Sequence, residues 1–102
     1  LQGTVLPSSE EPRVIVIPVD GGIVDKAIMI SSNLRKRGLT TALETMGRSV
    51  SQALSDAGRR GVTHAVIVGP REMKEGKVVL RDMRCKLQET VSLEELPKSI
   101  RS

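Results

Sequence analysis

The first strongly patterned stretch of the chain is a continuous run of β-branched residues. Residues 13–19 have the sequence RVIVIPV and lack the polar alternation of a half-exposed strand. Uninterrupted apolar runs of this length are typical of strands that are buried on both faces, as in parallel sheets covered by helices. The segment Arg13 to Val19 is therefore predicted to be a central strand of a covered sheet.

Helical periodicity begins directly after Gly22. Apolar residues then recur at spacings of four, three and four, which places them on one helical face. Three basic residues precede Gly38, a combination typical of a helix end. Leu39 to Glu44 alternates and predicts a second strand, so strand, helix and strand form a right-handed βαβ unit. The apolar face consists of Ile23, Ala27, Ile30 and Leu34.

A second helix, a third strand and a short third helix are predicted next along the chain. Ser49 and Gln52 form a capping box at the start of the second helix. The segment His64 to Val68 is another strand of the buried type. Gly69 and Pro70 begin a short helix, because proline fits the first helical position.

The C-terminal part of the chain predicts a hairpin and a last helix. The hairpin turn falls near Met83-Arg84-Cys85. Ser92 and Glu95 form a second capping box, but Pro97 falls in the second turn of that helix and predicts a short or kinked helix. The two predicted hairpin strands are Lys77 to Asp82 and Lys86 to Val91.

Composition separates a short tail from the patterned region. Residues 1–12 mix Gly, Pro, Ser and Glu and hold too little apolar surface to pack, so a linker or tail is expected. Residues 13–102 suit one domain, because single cores usually serve chains of roughly 50 to 200 residues. The chain begins with Leu1 and not with Met, so we expect a piece of a longer polypeptide.

Composition also narrows the kinds of partner. The chain has no Phe, Tyr or Trp, whereas the common single-strand binders stack bases on aromatic rings, so an RRM or OB-fold reader is disfavoured. A net charge of +4 and a pI near 9.7 favour a polyanionic partner. Any contact to RNA must then rely on Arg planes, hydrogen bonds and phosphate contacts.

Few residues suit catalysis or metal binding. Cys85 is the only cysteine and His64 the only histidine, so neither a disulfide nor a zinc site is expected, and a reducing, cytoplasmic compartment is the simplest interpretation. We interpret His64 as a partly exposed strand-edge residue and Cys85 as a surface residue of a turn, neither of them catalytic. No stretch approaches the roughly 20 apolar residues of a membrane span.

Two segments are candidates for ligand binding from the residues alone. Asp20-Gly21-Gly22 lies where a strand leads into a helix, a place that binds phosphate in many α/β folds, although no complete phosphate motif is present and a turn that requires positive φ is the alternative. The second is a basic segment in which Lys77 and Arg81 are predicted to share one face of a strand beside the short helix. With Arg48 they predict one surface for RNA or DNA, unless the segment is only a solvated charged face. Its basic residues are Arg71, Lys74, Lys77, Arg81, Arg84 and Lys86.

Three further segments of the chain carry a resemblance to a known family. They are Gly47 to Leu54 (GRSVSQAL), Ala57 to Gly69 (AGRRGVTHAVIVG) and Glu72 to Asp82 (EMKEGKVVLRD). These segments resemble the anticodon-binding domain of the class IIa aminoacyl-tRNA synthetases, shared by the histidyl, glycyl, threonyl and prolyl enzymes. The Arg-Ser pair that opens the second helix makes the chain most similar to the C-terminal domain of histidyl-tRNA synthetases.

The resemblance implies the family's α/β fold, a three-layer domain with a mixed five-stranded sheet and helices on both faces. The histidyl hairpin usually carries a glycine where this chain has Arg84-Cys85-Lys86.

The resemblance implies that five residues recognise a tRNA anticodon. By that comparison Arg48 and Arg81 would pair with phosphate or a guanine edge. Glu72 would accept a hydrogen bond from a base amino or imino group, and Ser49 would offer its hydroxyl, with Gln52 beside it. Each role has a structural alternative: Ser49 as a helix cap, Glu72 as a helix N-terminal charge, and the arginines as solvated cations.

The resemblance also implies a larger parent protein. A catalytic domain would precede this one in the same polypeptide, with Leu1 at a cut in the interdomain linker, and the parent enzyme would be a homodimer that charges tRNA-His. ATP and Mg²⁺ would belong to that catalytic domain, so we expect no cofactor, metal or aminoacylation activity in this chain by itself. Two alternatives are a regulatory or protein-interaction module of the same fold, and a small-ligand or nucleotide-binding α/β domain.

Overall fold

A mixed five-stranded sheet forms the middle of the domain. The computed structural model describes residues 12–44 and 49–101. The strands are β1 (Arg13–Pro18), β2 (Thr40–Leu43), β3 (His64–Val68), β4 (Lys77–Asp82) and β5 (Leu87–Ser92). Their order in the sheet is β2-β1-β3-β4-β5, with β1 parallel to both of its neighbours and β4 antiparallel to both of its own. The predicted α/β fold with a mixed sheet is therefore confirmed.

Helices cover both faces of the sheet. A single turn of 3₁₀ helix, Gly21–Ile23, leads into α1 (Val24–Lys36). The remaining helices are α2 (Val50–Arg59), α3 (Pro70–Lys74) and α4 (Leu96–Arg101). One apolar cluster joins α1 and α4 to one face of the sheet, and a smaller cluster joins α2 to the other face.

β1 supplies side chains to both clusters. Val14 and Val16 point towards α1, whereas Ile15 and Ile17 point towards α2, and all four are buried. Successive residues of a strand point to opposite faces, so a strand with helices on both sides needs apolar residues at every position. The continuous apolar run in the sequence is thereby explained, and the prediction of a central strand is confirmed.

The α2 side of the sheet is only partly covered. The cluster beneath α2 consists of residues from β1, β3 and α2 itself, with Met83 packed at its border. Further along, the pairs Lys77 with Ser92, Val79 with Thr90, and Arg81 with Gln88 share this side with Ala65 of β3. None of those six side chains is fully buried. We call these six residues of β4 and β5 the open face.

The turn between β4 and β5 differs from the prediction. It comprises residues 83–86, so Lys86 lies in the turn and not in the strand, and its φ is 59°. The Asp82 side chain accepts hydrogen bonds from the backbone N–H groups of Arg84 (2.8 Å) and Cys85 (3.3 Å). Aspartate can form this local turn by itself, which explains how the chain reverses without the expected glycine.

The start of the last helix also differs from the prediction. Residues 93–95 form a turn and α4 begins at Leu96, which places Pro97 in the first helical turn and not the second. The Ser92 hydroxyl accepts the N–H of Glu95 at 3.3 Å and lies 3.3 Å from Glu95 Oε1, to which it donates. These bonds hold the turn before α4, so the prediction that Ser92 and Glu95 cap the helix itself is wrong. Proline is tolerated in a first turn, where its missing N–H has no intrahelical partner in any case.

We predict that Lys86→Gly raises the free energy of unfolding by up to about 1 kcal/mol, because glycine adopts positive φ without the clash that a Cβ causes. Urea unfolding measures the change. Lys86→Ala is the control, since it removes the charge but keeps the Cβ and should give no gain. Equal stability of the two variants would show that Lys86 is not strained.

Candidate nucleic-acid interface

Ser49 and Gln52 hold the first turn of α2 together. The Ser49 hydroxyl accepts the N–H of Gln52 at 3.2 Å, and the Gln52 amide oxygen accepts the N–H of Ser49 at 3.4 Å. This reciprocal arrangement is the predicted capping box. Both residues are exposed. The Ser49 hydroxyl hydrogen and the Gln52 amide hydrogens therefore remain available to a ligand.

Arg48 lies outside the described residues. Its proposed contact with RNA stays a prediction from the sequence, as does its position relative to α2. Ser49, the next residue, is the first of this segment that the structure describes, and it has extended backbone angles of −63° and 159° before the helix begins.

Glu72 lies in the first turn of α3, where the helix has no side-chain cap. Its carboxylate folds back over Gly69, so closely that a Cβ on residue 69 would collide with Glu72 Oε1. The φ of Gly69 is −114°, which other residues adopt readily, so space and not backbone conformation calls for glycine here. Gly69 thus keeps Glu72 beside the N-terminus of α3, where a negative charge is favoured.

Arg81 is the most unusual cation in the described part of the chain. It is half-buried in β4, and its Nη1 donates a hydrogen bond to Gln88 Oε1 at 3.1 Å. Its Nε is enclosed without a hydrogen-bond partner. Within the described residues, no carboxylate pairs with it. A partly desolvated guanidinium without an anion is a strong donor for a phosphate or a base edge.

The site residues spread along the sheet and do not converge on one point. Ser49 and Glu72 follow the carboxyl ends of the parallel strands, which share one edge of the sheet. Arg81 pairs with Ala65, near the opposite end of β3. Lys77 lies at the end of β4 that is next to this edge of the sheet. Arg81 is four residues further along the strand, or about 13 Å away. This spacing fits an extended ligand such as a nucleotide strand better than a small molecule.

The residues of the predicted basic segment lie on three parts of the structure. Lys77 and Arg81 share one side of β4, as predicted. However, Arg84 and Lys86 lie in the turn at the far end of the hairpin, while the remaining two basic residues are on α3 at the near end. The surface predicted from Lys77, Arg81 and Arg48 stays a prediction, because Arg48 lies outside the described residues.

The Asp20-Gly21-Gly22 turn is already occupied by its own carboxylate. Asp20 Oδ1 accepts the N–H of Gly22 at 2.8 Å and caps the 3₁₀ turn. Neither glycine has a positive φ, so that interpretation of the turn is wrong. A Cβ on Gly22 would lie 3.2 Å from Asp20 Oδ1, which favours glycine sterically. An anionic ligand would have to displace Asp20, which disfavours nucleotide binding here.

His64 is the first residue of β3 and is partly exposed, as predicted. β3 lies between β1 and β4, so His64 is at the end of an interior strand and not at the edge of the sheet. Its Nδ1 lies 2.9 Å from the Thr63 hydroxyl. Burial lowers the pKa of His64, with nearby Asp82 acting in the opposite direction and Arg84 in the same direction. The imidazole is therefore held neutral near pH 7.

Cysteine and possible metal-binding side chains form no second candidate site in the part of the chain that the structure describes. Cys85 is exposed in the hairpin turn, as predicted. In residues 12–44 and 49–101, no three His, Cys, Asp or Glu side chains are grouped so that they could hold a metal ion. None of the helices in the described part has the length and apolar character needed to cross a membrane.

The fold and the partly basic surface define an α/β binding domain with one uncovered stretch of sheet. The chain belongs to the anticodon-binding domain family, whose model matches residues 13–102.

Curated proteins that are similar to the chain include several histidine–tRNA ligases. The chain is 39% identical over 89 residues to a histidine–tRNA ligase of Methanocaldococcus jannaschii, covering 85% of this chain and 21% of the relative. It is 36% identical over 86 residues to that of Archaeoglobus fulgidus, covering 84% of this chain and 21% of the relative. The chain therefore spans about a fifth of the length of these relatives.

Solved structures share the fold. Histidyl-tRNA synthetase from Nostoc superposes with a TM-score of 0.86 at 24% identity, over 98% of this chain and 24% of that one. The RNA-binding domain of threonyl-tRNA synthetase from Cryptosporidium parvum gives 0.82 at 19% identity, over 88% of this chain and 23% of that one. At these identities the comparison establishes the fold alone.

We predict that Ser49→Ala lowers the free energy of unfolding by about 1 kcal/mol, because it removes the acceptor that caps α2. Ser49→Asp is the matched control: it keeps an acceptor at the cap, so its stability should stay close to that of the parent. Chemical denaturation compares the three proteins. Equal losses for Ala and Asp would contradict the capping role.

We predict that stability falls as pH drops from about 7.5 to about 5. The folded chain disfavours protonation of His64, whose pKa is lowered, whereas the unfolded chain binds that proton near the ordinary value of 6.5. The unfolded state then binds more protons, so the contribution of neutral His64 is complete above that value and is lost below it. The pKa of Asp82 is also lowered, but its effect begins only below about pH 4.

Urea midpoints measured across this range provide the test. His64 is the only histidine, so His64→Gln should flatten the dependence. An unchanged slope in that variant would assign the effect to other groups.

Proposed function

We propose that this chain recognises the tRNA anticodon as the C-terminal domain of a histidine–tRNA ligase and so contributes to protein synthesis. The observation that carries the proposal is the sequence similarity of the chain to histidine–tRNA ligases, at 39% and 36% identity over 85% and 84% of its length. The position of Arg81 supports it independently, because an unpaired and partly desolvated cation on an uncovered stretch of sheet is suited to an anionic, extended ligand.

Each candidate residue has a chemical role in this proposal. Arg81 and Arg48 donate to phosphate oxygens or to a guanine edge. Glu72, set over Gly69, accepts from a base amino or imino group. Ser49 and Gln52 present the hydrogens that their capping box leaves unused. The roles of Ser49 and Glu72 combine with their structural ones, because both also stabilise a helix start.

The proposal extends to the parent protein. A catalytic domain in the same polypeptide would bind ATP and Mg²⁺ and attach histidine to tRNA-His, as a homodimer in the cytoplasm. This chain would contribute substrate recognition and no bond-making step. Its net charge of +4 would assist the approach of the polyanionic tRNA.

We predict that Arg81→Ala and Arg48→Ala each weaken binding to the anticodon stem-loop of tRNA-His. A base contact contributes about 1 to 3 kcal/mol of binding free energy. If the arginine makes such a contact, the variant should bind less tightly only to the RNA with the cognate anticodon. A phosphate contact should weaken cognate and anticodon-mutant RNA alike and reduce the salt slope by roughly 0.7 to 0.9. Fluorescence titration at several salt concentrations separates the two cases.

Lys26→Ala is the charge-matched control for this experiment. Lys26 is exposed on α1, which covers the opposite face of the sheet, so its removal lowers the net charge equally without touching the open face. Wild-type chain that does not distinguish the cognate anticodon from a mutated one would overturn the proposed function. Arginine variants that bind like Lys26→Ala would overturn the site assignment.

A further inference from the structure

Arg81 is held by a residue that the sequence does not single out. Gln88 lies directly opposite Arg81 in the β4–β5 register, and its Oε1 accepts from Arg81 Nη1 at 3.1 Å. Both residues belong to the open face, and Gln88 is exposed on β5, the last strand of the sheet. The contact therefore lies at the surface where RNA would bind.

The remaining nitrogens of Arg81 differ in what they can reach. Nε is enclosed and has no hydrogen-bond partner, so no ligand can approach it without a rearrangement. Nη2 is neither enclosed in this way nor bonded within the described part of the chain. The donors open to a ligand are consequently the terminal nitrogens, and one of these is fixed by Gln88.

We propose that Gln88 is a positioning residue that holds the Arg81 guanidinium at the open face, ready to donate to an RNA oxygen; this inference rests on the proposed function. An arginine side chain has many rotamers, and restricting them before binding lowers the entropic cost of forming the complex. Gln88 achieves this restriction through a single hydrogen bond, in which the charged guanidinium donates to a neutral amide oxygen.

The neutrality of Gln88 is essential to this role. A carboxylate at residue 88 would hold the guanidinium equally well but would also pair with its charge and compete with RNA for it. An amide oxygen orients the guanidinium while the positive charge stays available. The absence of a carboxylate partner for Arg81 among the described residues agrees with this arrangement.

The test is a double-mutant cycle in the full 102-residue chain, using the anticodon stem-loop of tRNA-His. Gln88→Ala should weaken binding about three- to tenfold, the scale of one net hydrogen bond. In an Arg81→Ala background the same change should have no further effect, because Gln88 acts only through Arg81. Gln88→Ala leaves the charge unchanged, so its salt slope should stay close to that of the parent, whereas loss of a phosphate-binding arginine lowers the slope.

Thr90→Ala is the matched control. Thr90 is exposed on the same strand and the same face as Gln88, but it pairs with Val79 and makes no bond to Arg81. Its effect, if any, should be equal in the presence and absence of Arg81. Urea unfolding should show equal stability for Gln88→Ala and the parent.

Two results would overturn the positioning role while leaving the proposed function intact. These are a Gln88→Ala chain that binds as tightly as the parent, or one whose loss of affinity is the same with and without Arg81. If Arg81→Ala itself binds normally, the assignment of Arg81 fails and the role of Gln88 fails with it. If the parent chain binds the cognate and the anticodon-mutant stem-loop equally well, the proposed function is wrong.

Discussion

β1 has helices on both of its faces, and each of its four central side chains is at most 3% exposed. Burial of four such side chains contributes roughly 6 to 12 kcal/mol before entropic costs, which is comparable with the whole net stability of a small domain. α1 and α2 must lie on opposite sides to cover this strand. The small residues Ala53 and Ala57 of α2 face Ala65, so this helix covers β1 and β3 and leaves β4 and β5 uncovered.

Most of the fold could be predicted because its signals are local or periodic. The β-branched run of β1, the helical period of α1 and the Ser49–Gln52 capping box each specify an element without reference to distant residues. The resemblance to anticodon-binding domains then supplied the sheet, which the structure confirms. The resemblance also selected the candidate site, but neither it nor the residue pattern predicts the direct contacts of Arg81 and Glu72.

The features that the sequence did not reveal depend on tertiary geometry. If Lys86 belonged to β5, as the sequence predicts, the turn would have three residues and Arg81 would lie opposite Leu87. The observed turn of four residues shifts the register by one and places Gln88 opposite Arg81 instead. Asp82 and the positive φ of Lys86 decide that shift, and neither follows from a composition rule that expects glycine. Likewise, Gly69 gives no sign in the sequence that it makes room for the carboxylate of Glu72.

The open face, which carries Arg81 and Gln88, lies outside both apolar clusters. The enclosed Nε of Arg81 lacks a partner, and a buried donor in that state costs about 1 to 3 kcal/mol. Such a cost is tolerable because the opposite side of the same two strands packs in the larger apolar cluster, through Val78, Leu80 and Val91. Core residues and open-face residues alternate along β4 and β5, so the open face can vary in sequence without loss of the core. Specificity for a particular RNA can therefore be set by residues such as Arg81 and Gln88.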